Sequence, residues 1–204
     1  MAPDVGLSAI LLAAGRGRRF DPHGRRNKLL QPLPGGDPVV VASACTLLAV
    51  FPRVIAVVPP QDGGVAERLR ALGCDVTVCA QADAGMGLSL AHAVRHALQD
   101  GASSSSSSSS GGWLVALGDM PFVGDATLRA LAAAIGQGAG IAAPFYQGRR
   151  GNPVAFGREH GAALQALDGD QGARRLLGTA AVTAVAVDDP GILRDIDSPA
   201  DLPS

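Results

Sequence analysis

Short apolar runs recur along this chain, and segments of helical pattern separate them. That alternation constrains its fold more than any other feature. Leu7–Ala13 (LSAILLA) reads as a buried strand, as does Arg53–Val58, which Pro59 and Pro60 end. Asp75–Cys79, Trp113–Leu117, Gly140–Phe145, Pro153–Phe156 and Val182–Val187 follow in the same style. Between them, helical spacing covers Pro38–Val50, Val65–Leu72, Leu88–Leu98, Asp125–Ile135, Glu159–Leu167 and Gly172–Leu177. Asp37 followed by Pro38 suits an N-cap with proline at the first helical position. Continuous apolar strands alternating with helices require a mainly parallel sheet covered on both faces, an α/β class. Ligands of such sheets sit at the carboxyl ends of the strands.

The 204 residues amount to one domain, spanning 1–204. Hydrophobic residues are 47% and aromatic ones 3%, so the core is built from Ala, Val and Leu. A tract of serines within 102–112 can bury nothing and is expected as a surface loop. The cysteines, Cys45, Cys74 and Cys79, show no metal spacing and are expected as reduced, buried thiols. No apolar run reaches the roughly 18 residues of a membrane span, and no signal-peptide pattern opens the chain. The expectation is a cytoplasmic protein with no membrane partner.

Basic and acidic residues nearly cancel, 17 against 18, which gives no reason to expect nucleic acid as a partner. The distribution is uneven. Residues 1–30 carry Arg16, Arg18, Arg19, Arg25, Arg26 and Lys28 against Asp4 and Asp21, and Lys28 is the sole lysine of the chain.

These cations surround the first strand's end, Leu12-Ala13-Ala14-Gly15-Arg16-Gly17-Arg18-Arg19. Small residues admit a ligand to the backbone, successive N–H groups bind phosphate oxygens, and arginines add charge-assisted bonds. A plain glycine turn with a solvated basic face is the competing reading. The third glycine of a dinucleotide fingerprint is missing, and so is a Walker A pattern. Gly118-Asp119-Met120-Pro121 ends the Trp113 strand, and one carboxylate there suits Mg²⁺ against substrate phosphates. Asp119 as a turn residue is the alternative, although the Gly124–Asp125 region can start the next helix without it. Gly85-Met86-Gly87 permits unusual backbone angles, and Ser89 reads chiefly as a helix cap. Arg149–Phe156 offers either a second anion site or a solvated hairpin. In Arg194–Leu202, Asp195 and Asp197 are candidates for a second metal carboxylate or for caps. His92 and His96 stand four apart without the rest of a zinc pattern.

Together these segments resemble the molybdenum cofactor nucleotidyltransferases, a MobA-like branch of the Rossmann-type nucleotidyltransferases. The resemblance covers nearly the whole chain. It rests on LAAGRGRR (12–19), Lys28 with its two leucines, GMGLSL (85–90), GDMP (118–121), RGNPVAF (150–156), GDQGARRLL (169–177) and DIDSPADL (195–202). It implies a three-layer Rossmann-like nucleotidyltransferase fold. Ala14 and the GDMP segment resemble the cytidylyl rather than the guanylyl branch. The implied reaction joins CTP to molybdopterin cofactor, giving the cytosine dinucleotide and pyrophosphate, with Mg²⁺ as cofactor and a molybdoenzyme as possible client. Leu12, Ala13, Ala14, Gly15, Arg16 and Gly17, with Gly85, Met86, Gly87 and Ser89, would bind the nucleotide. Arg19 and Lys28 would hold the triphosphate, and Asp119 the metal, with Asp195 or Asp197. Arg150, Gly151, Asn152 and Pro153 would face the pterin. The chain departs from the family pattern in the inserted Asp21–Arg26 (DPHGRR) between Gly15 and Lys28. Transfer from GTP, another MobA-like nucleotidyl transfer with a sugar or lactyl phosphate as acceptor, a non-catalytic molybdopterin carrier or insertion chaperone, and a catalytically dead nucleotide-binding domain are the alternatives.

Overall fold

The computed structural model describes residues 6–103, 111–169 and 173–203. Its strands are β1 (Leu7–Leu12), β2 (Val54–Val58), β3 (Asp75–Val78), β4 (Gly112–Leu117), β5 (Ile141–Tyr146), β6 (Arg149–Arg150), β7 (Val154–Gly157) and β8 (Thr183–Ala186). Helices are α1 (Val39–Leu48), α2 (Val65–Ala71), α3 (Met86–Ser103), α4 (Asp125–Gly136), α5 (Gly161–Gln165) and α6 (Arg174–Thr179). They build one sheet in the order β3-β2-β1-β4-β7-β5, with β6 and β8 also paired to β5. β3, β2, β1 and β4 run parallel, β7 runs antiparallel between β4 and β5, and β8 runs parallel to β5. The sheet is thus mostly parallel, as the apolar runs required.

The alternation along β1 shows why both faces are covered. Ala9, Leu11 and Ala13 point into one apolar layer, completed by Val40 and Leu47 of α1, Leu69 of α2 and Leu131 of α4. Ile10, Leu12 and Ala14 point into the other, completed by Leu90 and Val94 of α3 and Leu164 of α5. Burial of such side chains stabilises by about 1.5–3 kcal/mol each. β1 has β2 on one side and β4 on the other, so chain connections diverge at its carboxyl end and leave a crevice there.

Several local expectations are corrected. Pro38 is itself the N-cap of α1, because the Val39 N–H, which would need a cap, already donates to the Gln31 carbonyl at 3.0 Å. Ser89 does not cap α3. The helix starts at Met86, and Ser89 lies buried inside it. The helix expected over Glu159–Leu167 is a 3-10 turn, Arg158–His160, followed by the short α5. The serine tract begins within α3 and Gly112 opens β4, while residues 104–110 lie outside the described residues.

Cys45 is exposed, against the expectation of three buried thiols. Ala44 and Leu47 face the core, and Cys45 is turned away by one residue's rotation of α1. Cys74 and Cys79 are buried, and burial, with Cys45 and Asp75 as lesser influences, pushes the Cys74 thiol up to about 11. Since the thiolate is the nucleophile, an alkylating reagent at pH 8 should label Cys45 alone in the folded chain. All three cysteines should be labelled in urea. Peptide mass spectrometry reads both, and labelling of Cys74 in the folded protein would contradict this packing.

Candidate active site

Leu12 and Leu117 are paired at the carboxyl ends of β1 and β4. The next residues therefore emerge side by side. The Gly118 N–H donates to the Leu12 carbonyl at 2.9 Å, and the Gly118 carbonyl accepts from buried Ser43 Oγ of α1 at 3.1 Å. This pins the turn that presents Asp119. Its carbonyl in turn accepts the Ile196 N–H at 2.9 Å, which docks the carboxyl-terminal segment carrying Asp197. Asp189 anchors the same segment from the other end, accepting from Gly124 N–H, Thr127 Oγ1 and Gly191 N–H.

Lys28 lies where these segments converge. It opens a 3-10 turn, Lys28–Leu30, that Asn27 caps by accepting from the Leu29 N–H at 3.0 Å. Gly17, at φ +59°, folds the basic loop onto the lysine stem, where an added Cβ would lie 3.3 Å from Lys28 Cγ. The Lys28 ammonium donates to Asp119 Oδ2 at 2.5 Å and to Asp197 Oδ1 at 3.2 Å. Arg19 Nη1 reaches Asp197 Oδ2 at 2.7 Å. The Lys28 side chain is 8% exposed, Asp119 19% and Asp197 25%, whereas Arg19 is 81% exposed. The inner pairs are therefore only weakly screened, and the Arg19 pair sits in water. Asp119 Oδ1 is buried without a hydrogen-bond partner.

Two cavities flank the glycine loop. One, of about 370 Å³, is lined by Leu12, Ala14, Gly15, Arg16, Lys28, Gly85, Met86, Ser89 and Asp119 among the expected residues. Arg18, Leu29, Ala82, Asp83 and Leu117 complete it. The other, of about 640 Å³, takes in Ala13, Pro59 and Pro60, with Asp21, His23 and Arg26 of the insertion. The insertion is folded around Asp21, whose carboxylate accepts from the His23 N–H at 2.9 Å and the Arg26 N–H at 2.8 Å. The bond from His23, the larger influence, and those from Arg26 and Arg25 hold that carboxyl below its usual range. Arg16 and Asp83 border both cavities and form an ion pair between them. Asp83 carried no individual signal in the sequence, because pairing across the loop depends on the fold.

Other expected residues lie elsewhere. Gly87 is packed beneath the cleft. Its N–H donates to the Gly169 carbonyl at 3.0 Å, and an added Cβ would stand 2.6 Å from the Asp168 carbonyl oxygen. The Gly85 and Gly169 motifs thus meet backbone to backbone, although residues 170–172 of the latter lie outside the described residues. Arg150 is exposed on the β5–β6 hairpin. The Gly151 N–H donates to the Pro144 carbonyl and the Asn152 N–H to the Ile192 carbonyl. Asn152 and Pro153 line a separate void of about 20 Å³ with Leu117 and Met120, and Arg150–Pro153 line neither of the two cavities beside the glycine loop.

Among the described residues no three His, Cys, Asp or Glu side chains are gathered as a ready metal cluster. Asp195 is exposed and hydrogen-bonds to the Asp197 carboxyl; partial desolvation, then the like charges of Asp197 and Asp119, hold its carboxyl above the usual value. The donor set that fits a hard divalent cation is Asp119 with Asp197. Its oxygens are of the right chemistry, and Asp119 Oδ1 is buried and unpartnered.

Residues 9–185 match the family model described as MobA-like NTP transferase domain. The purine catabolism protein PucB of Bacillus subtilis is 29% identical over 95% of this chain and 92% of its own. The crystal structure of Rv0371c from Mycobacterium tuberculosis superposes with TM-score 0.76 at 26% identity, covering 96% of this chain and 94% of that one. A structure of Rv0371c in complex with manganese gives 0.72 at 27%, covering 96% and 95%. Mth528 of Methanothermobacter, described as a nucleotidyl transferase, gives 0.76 at 26%, covering 96% and 93%.

The contact beneath the cleft is testable. Gly87→Ala should cost about 1–3 kcal/mol in urea denaturation, because backbone must move to admit the methyl group. Gly178→Ala, where a Cβ meets nothing within 4 Å, should be neutral or stabilising by up to about 1 kcal/mol. Equal effects at the two sites would contradict the packing of Gly87 on Asp168 and Gly169.

Proposed function

The chain belongs to the MobA-like NTP transferase family, and from that premise we propose that it transfers a cytidylyl group from CTP to the terminal phosphate of a molybdopterin cofactor, releasing pyrophosphate. The observation that carries the reading is the meeting of the basic glycine loop, the buried Lys28 ammonium and Asp119 in one cleft of about 370 Å³.

In this reading the acceptor phosphate oxygen attacks the α-phosphorus in line. The bond to the bridging oxygen of the β-phosphate breaks, and pyrophosphate carries the electron pair away. Positioning and charge stabilisation suffice for such a step, so no protein nucleophile is needed. The loop backbone at Ala14 and Gly15 accepts the nucleotide closely. Arg16, Arg18 and Arg19 hold the departing phosphates, and Lys28 balances charge as it moves outward. Asp119 and Asp197 would hold Mg²⁺, which when bound neutralises triphosphate charge and acts as a Lewis acid. Manganese in the Rv0371c structure supports a divalent ion in a relative. The choice of CTP rests on Ala14 in the LAAG turn and on the GDMP segment.

The test is incubation with molybdopterin cofactor, Mg²⁺ and each nucleoside triphosphate in turn, followed by mass detection of the dinucleotide. The cytosine dinucleotide should form with CTP, and EDTA should abolish it. Product from GTP alone would overturn the cytidylyl assignment. Absence of product with every nucleotide would overturn the transferase reading in favour of a carrier. Asp119→Asn should lower kcat by about 10²-fold or more while circular dichroism stays native.

A further inference from the structure

Three of the four carboxylate oxygens of Asp119 and Asp197 already face a cation. Asp119 Oδ2 and Asp197 Oδ1 share the Lys28 ammonium, and Asp197 Oδ2 holds Arg19. Only Asp119 Oδ1 is buried with no partner. Asp195, exposed, hydrogen-bonds to the Asp197 carboxyl, so three carboxylates against two monovalent cations leave at most one uncompensated negative charge, and a divalent ion gains little net attraction while both cations stay in place. An ammonium within hydrogen-bond reach of the same oxygens would also repel it strongly at low dielectric.

We infer that Lys28 is the resident counter-ion of the metal carboxylates, and that ammonium and divalent cation exchange. The ion gains full access to Asp119 and Asp197 only as Lys28 swings away from them. A triphosphate offers the ammonium its other destination, and the four-carbon lysine stem, packed against Gly17 at its base, has rotatable bonds beyond that contact for the movement. Metal and nucleotide then load cooperatively, since each removes what opposes the other. The inference rests on the transferase reading for the identity of the site.

That Lys28 is the sole lysine makes the exchange directly readable. Mn²⁺ binding to the full chain without nucleotide, followed by the electron paramagnetic resonance of the free ion, should be weak for the wild type. It should tighten on the order of tenfold in Lys28→Gln, which removes the competing charge, and stay weak in Lys28→Arg. On the unaltered protein, saturating Mn²⁺ should raise acylation of Lys28 by an amine-reactive reagent several-fold over a potassium control of equal ionic strength, as read by peptide mass spectrometry. That measurement decides the matter alone if Lys28→Gln fails to fold by circular dichroism. Equal Mn²⁺ affinity of folded Lys28→Gln and wild type would overturn the exchange. So would Mn²⁺ saturation of the wild type with Lys28 acylation unchanged. Loss of transferase activity with every nucleotide would sink the functional reading yet leave a positive exchange result standing.

Discussion

One ammonium group joins the segments of this site. Lys28 reaches it from the turn after the basic loop, Asp119 from the end of β4, and Asp197 from the carboxyl-terminal stretch, which Arg19 also touches. Their positions 28, 119 and 197 span most of the chain, so the cluster exists only when the sheet, its crossovers and the docked tail are all in place. Burying a lysine is costly, and two carboxylates with a covering loop are what make it tolerable. Such a pair is weak evidence for added stability, because apolar residues would often serve as well, and with two carboxylates on Lys28 the loss of either still leaves the ammonium one partner. The arrangement is better understood as stored charge at a strand end than as a staple.

The sheet explains how so much charge fits inside a nearly neutral chain. β1 is apolar apart from Ser8, β4 is apolar throughout, and neither delivers a charged group until it ends. Beyond Leu12 and Leu117 the chain changes character at once, to a glycine-rich basic loop on one side and a carboxylate on the other. Cations and anions of opposite origin thus meet where the sheet leaves a crevice. A net charge of −1 averages this away.

Much of the fold was legible because it is written in continuous apolar runs, which only a strand covered on both faces accommodates. The glycine loop and Asp119 were legible because each stands at a strand end, and Lys28 because it is the sole lysine, set in the basic stretch that follows β1. Asp197 was half legible, tied with Asp195 until the Lys28 contact separated them. What stayed hidden depended on tertiary context. Asp83 needs the loop fold to meet Arg16. The Gly85 motif gave no hint that Gly87 lies beneath the Asp168–Gly169 backbone. Cys45 looked buried by residue type, yet one step of helical rotation exposes it. Ser89 looked like a cap until the helix began three residues earlier. The Arg150–Pro153 segment matched a family motif, but its backbone is bonded to β5 and to the tail.

The central claim, that Lys28 is held between Asp119 and Asp197 in the free protein, has a direct spectroscopic test. Lysine labelled with ¹⁵N at Nζ yields one side-chain signal from this chain, since there is only one lysine. The account predicts an ammonium signal protected from solvent exchange, which shifts in both Asp119→Asn and Asp197→Asn. A rapidly exchanging signal typical of a surface lysine, unmoved by either substitution, would contradict it.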